Sequence, residues 1–76
     1  MNHRTERAVI EKARLACGLS HILKDCTDDL RIYSNPRELD KLNAAVEDAK
    51  TILQKLTDVV VELEYVLYLE ETGNEY

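Results

Sequence analysis

The sequence predicts an all-α fold: an antiparallel helical hairpin of two long helices that dimerises into a four-helix bundle. Three observations predict it. In the second half of the chain Leu39, Leu42, Val46, Ala49, Leu53, Leu56, Val60, Leu63, Leu67 and Glu70 follow one another at alternating steps of three and four. All but Glu70 are apolar, which is the seam of a long helix that lies along other helices. In the first half Val9, Ala16, Leu23 and Leu30 repeat every seven residues, with Leu19, Cys26 and Tyr33 as a companion line and Leu15 and Ile22 widening the stripe. Between the two halves stands one strong turn signal, Tyr33-Ser34-Asn35-Pro36-Arg37-Glu38.

These signals place helix 1 at about 5–33, a turn at 34–35 and helix 2 at about 36–72, in one domain over 1–76. Asn35 suits an N-cap, Pro36 the first helical position, and Glu38 the third, where it can reach back to the cap. The residue before a proline is also pushed out of the helical region. Gly73 supplies a stop. At ~1.5 Å per residue, helix 2 would be roughly 54 Å long.

Helix 1 is the weaker pattern. Lys12, Ser20 and Thr27 lie at or beside its seam, and Gly18 in its middle costs about 1 kcal/mol relative to Ala. A continuous helix is the preferred reading, and a break near Gly18 or Asp25–Asp29 is the alternative. Residues 59–69 are rich in β-branched and aromatic side chains and partly alternate as a strand would. The seven-residue repeat runs through them without a phase slip, so they are read as helix.

Helix 2 carries a second apolar line, Ala45, Ile52, Val59 and Val66, beside the first. Two adjacent lines are too wide for one partner helix. The combined set of Leu42, Val46, Ala49, Ile52, Leu53, Leu56, Val59, Val60, Leu63, Val66 and Leu67 is therefore expected to serve both the hairpin core and a homodimer seam. A core of this size is marginal by itself. Only two cysteines are present, Cys17 and Cys26. Nine residues apart on one helix they stand roughly 13 Å apart along the axis, too far to bond. Reduced thiols and a cytoplasmic setting fit. No stretch approaches the ~20 apolar residues of a membrane span, and the first residues show no signal-peptide pattern.

The charge order favours an antiparallel pair. Arg4, Arg7, Lys12 and Arg14 open helix 1, whereas no basic residue follows Lys55 and Asp58, Glu62, Glu64, Glu70, Glu71 and Glu75 crowd the end. At the turn, Asp28 and Asp29 precede Arg37 and Lys41. Alone, each helix places its charges against the helix dipole. Folding the chain back sets them beside opposite charges.

No motif carries chemistry, and no enzyme, cofactor or metal site is expected. Cys17, His21 and Asp25 share one helical face and name the residue types of a thiol triad or a metal site. They fall on the outer face of a straight helix, however, with no cleft implied. Val61, Tyr65, Tyr68 and Leu69 face away from the main seam of helix 2, and such an apolar patch is the candidate partner interface. The most direct functional reading is a small non-enzymatic regulator or inhibitor, of phage or plasmid accessory type, that binds a protein partner. Two alternatives remain. Arg7, Arg14 and His21 repeat every seven residues, with Arg4 and Lys24 nearby. Doubled in a dimer, Arg4, Arg7, Arg14 and His21 could grip RNA phosphates despite a net charge of −5. In layout such a dimer is similar to the plasmid RNA-loop-binding hairpin proteins, with no sequence motif in common. The acidic end, in turn, could mimic nucleic-acid phosphates.

Overall fold

A computed structural model describes residues 2–73. The order is α1 (His3–Ile32), a single 3-10 turn (Pro36–Glu38) and α2 (Leu39–Glu71). The two helices pack side by side into a hairpin whose principal extents are 56 × 15 × 12 Å, and the described residues hold no strand. Residues 59–69 are helical, as the unbroken repeat requires.

Helix α1 starts two residues earlier than the apolar pattern suggests. Asn2 is extended (φ −77°, ψ 166°), and its side-chain oxygen accepts a hydrogen bond of 2.8 Å from the Thr5 amide. That bond satisfies one of the helix's first amides. The helix runs unbroken through Gly18 and through Asp25–Asp29. Tyr33 closes it, its N–H donating to the Asp29 carbonyl at 2.9 Å.

The turn departs from the expected capping box. Asn35 is extended (φ −79°, ψ 130°), as a residue before proline must be. Its side chain accepts from the Arg37 amide at 3.0 Å, and the Glu38 amide donates to the Asn35 carbonyl at 2.9 Å. The first turn is therefore wound tightly, three residues to the bond. Glu38 does not reach back to the cap; its carboxylate lies 3.6 Å from Lys41 Nζ. The regular α-helix begins only at Leu39. At the far end Gly73 takes φ +76°, the left-handed conformation that glycine adopts without penalty, and its N–H donates to the Glu70 carbonyl.

The core is a thin seam. Its buried members are Thr5, Ala8 and Leu19 of α1 and Ala45, Val59 and Val66 of α2, with Val66 at 0% exposure. Half-buried side chains fill the spaces between: Val9, Lys12, Ala16, Leu23, Cys26, Leu30 and Tyr33 on one helix, and Leu42, Ala49, Ile52, Leu56 and Leu63 on the other. Of the two apolar lines on α2, it is the Ala45 line that turns toward α1. The Leu39 line (Leu39, Val46, Leu53, Val60, Leu67) remains exposed, from 38% at Val46 to 57% at Leu39.

Candidate interaction surfaces

The five side chains of the Leu39 line recur every seven residues, so they share one face of α2. That face runs roughly 42 Å from Leu39 to Leu67 at ~1.5 Å per residue. One flank is the half-buried Leu42 line. The other is Asn43, Lys50, Thr57, Glu64 and Glu71, all exposed. On α1 the corresponding flank of the hairpin holds Glu6, Ala13, Ser20 and Thr27, small or polar and also exposed. The opposite side of the hairpin carries exposed Leu15 (53%) and Ile22 (47%).

A second patch lies on the outer face of the C-terminal third of α2. Val61, Tyr65 and Tyr68 are 55–57% exposed, and Leu69 is half-buried. Leu63, Leu67 and Tyr68 line a shallow groove with Glu64 and Glu71 at its edge. The Leu39 line and the tyrosine patch thus meet at this end of the molecule.

On α1, Arg4, Arg7, Arg14 and His21 are all exposed. Arg7 and Arg14 border a shallow groove that also contains His3, Ile10, Glu6 and Glu11. The basic stripe is therefore interleaved with carboxylates. Cys17, His21 and Asp25 stand exposed on a single helical face, and Cys26 is half-buried in the seam. Among the described residues, no three His, Cys, Asp or Glu side chains come together as a metal site would require.

Among the described residues, one charge pair joins the helices near the open end of the hairpin. Lys12 reaches Glu62 at 2.6 Å. At the turn the pairs are local instead: Lys24 with Asp28 at 3.2 Å, and Lys41 with Glu38. Lys41 also stands 5.7 Å above the Tyr33 ring, a cation–π contact across the turn. Of the acidic run, Asp58 accepts from Gln54 at 2.9 Å, Glu64 and Glu71 are exposed, and Glu75 lies outside the described residues.

Sequence reasoning passed over Thr5. Its side chain is 1% exposed, and among the described residues its hydroxyl has no hydrogen-bond partner. The signal was present: extending the line of Leu19, Cys26 and Tyr33 back by sevens reaches Lys12 and then Thr5. No helix among the described residues is long and apolar enough to cross a membrane. No protein-family model matches the chain, and comparison with curated proteins and with solved structures found no similar protein.

Proposed function

We propose that this chain is a small non-enzymatic interaction protein, a regulator or inhibitor that docks a protein partner through the C-terminal third of α2. The observation that carries this reading is the exposed cluster of Val61, Tyr65 and Tyr68 beside Leu69. Tyrosines contribute large contact area at low entropic cost and keep a polar tip that can be hydrogen-bonded. Free thiols at Cys17 and Cys26 support a reducing, cytoplasmic setting.

RNA binding through α1 is the second reading, favoured by the exposure of Arg4, Arg7, Arg14 and His21 along one helix. One experiment separates the two. The tagged chain is used to capture partners from lysate at low salt, alongside Tyr65→Ala with Tyr68→Ala and Arg7→Glu with Arg14→Glu. The docking reading expects a specific protein that is lost only with the tyrosine pair. Recovery of nucleic acid, lost only with the arginine pair, would replace it with the RNA reading.

A further inference from the structure

We propose that the Leu39 line is covered by the same line of a second copy, with the two α2 helices antiparallel and Leu53 near the two-fold axis. This defines a partner for a face distinct from the tyrosine patch, and it does not depend on what that patch binds.

Area argues for an occupant of this size. A folded monomer of 8.8 kDa is expected to expose about 4,800 Å². The hairpin exposes 5822 Å². The surplus of roughly 1,000 Å² is close to the ~800 Å² that each partner buries in a standard interface. Small chains without disulfide or metal recruit a partner subunit for the same reason.

Composition of the flanks argues that α2 meets α2. The line presents five large apolar side chains, whereas the neighbouring flank of α1 offers only Glu6, Ala13, Ser20 and Thr27. Packing the line against its own symmetry mate buries apolar surface on both sides. Packing it on that flank of α1 of the second copy would leave it against small and polar groups, and packing it on the exposed Leu15 and Ile22 would join two different faces, a head-to-tail contact that does not close on two copies.

Charge sets the direction. Every basic residue of the second half, Arg37, Lys41, Lys50 and Lys55, lies before Asp58, and the rest of the helix is acidic. A parallel pair would set this charged flank against the Leu42 line of the second copy, with every basic residue toward one end of the pair and the acidic run from Asp58 at the other. An antiparallel pair about Leu53 brings Arg37 near Glu71 of the second copy and Asn43 near its Glu64. The helix dipoles also oppose favourably in this arrangement. Such exposed charges add little affinity but discriminate between orientations.

The test is disulfide trapping in a Cys17→Ser, Cys26→Ala background, with light-scattering mass measured on the unmodified chain. The expected result is a dimer mass, ready oxidation of Leu53→Cys to a covalent dimer, and none for Val46→Cys or Val60→Cys alone. Mixing Val46→Cys with Val60→Cys should yield the cross-linked heterodimer, because the antiparallel register pairs these positions. Two copies of residue 46 would stand roughly 21 Å apart, beyond disulfide reach. Self-linking of Val46→Cys and Val60→Cys would overturn the proposal in favour of a parallel pair. A dimer mass without Leu53→Cys linking would overturn the α2–α2 contact, and a monomer mass would remove the second copy altogether. The tyrosine patch adjoins this face at Leu67 and Tyr68, while Val61 and Tyr65 lie off it, and its own test is partner capture.

Discussion

Lys12 Nζ lies 2.6 Å from Glu62 Oε2, joining α1 to α2 across 50 residues of chain. The lysine side chain is 19% exposed and the glutamate 60%. The aliphatic stem of Lys12 is therefore largely covered at the seam, and its ammonium emerges at the edge to meet Glu62. Coulomb attraction at such an edge is screened by water, so the pair contributes orientation more than energy. Lys12→Met should keep the stem's packing and lose only the charge. The expected change in unfolding free energy is within ~1 kcal/mol of zero, with stability less dependent on salt. A urea melt showing a loss well above that would mean the pair holds the hairpin together.

Gly18 sits mid-helix on the exposed face, and a Cβ built there meets nothing within 4 Å. Its only effect on folding is the extra freedom it gives the unfolded chain. Gly18→Ala should raise stability by about 1 kcal/mol, read as a higher Tm by circular dichroism. An unchanged or lower Tm would show that this face is covered by something that needs the glycine.

The Thr5 hydroxyl is buried without a partner among the described residues. An unpaired buried hydroxyl costs about 1–3 kcal/mol. Thr5→Val keeps the shape and the amide that Asn2 caps while removing the orphaned group, so the melt should shift upward. A downward shift would mean that the hydroxyl is hydrogen-bonded in solution.

Val66 is 0% exposed, whereas Val61, five residues earlier, is 55% exposed. Val66→Ala should cost about 2 kcal/mol through lost burial and the cavity left behind. Val61→Ala should change stability by no more than about 0.5 kcal/mol. Equal losses in paired melts would show that Val61 is buried in an assembly.

The hairpin was legible in the sequence because its signals are local. The period of three and four requires helices, and Asn35-Pro36 can only be a break. The capping box does not form because the Asn35 side chain accepts from the Arg37 amide while the Glu38 amide turns to the Asn35 carbonyl, a choice of one turn geometry over another that residue types do not determine. The allocation of the two apolar lines was also not legible. Leu42, Ala49, Leu56 and Leu63 stand between the Ala45 line and the Leu39 line, and which of the two joins them in the seam depends on the rotation of α2 against α1. The small side chains Ala8 and Ala45 are buried in the seam, with Ala16 and Ala49 half-buried beside them. The larger side chains of the Leu39 line are left outside.

One line thus holds the hairpin, and the other is free to hold a second copy. The decisive measurement is the light-scattering mass of the unmodified chain, expected at twice 8.8 kDa and falling toward the monomer only on strong dilution as mass action requires. A single species of 8.8 kDa at all accessible concentrations, with full helicity, would contradict it.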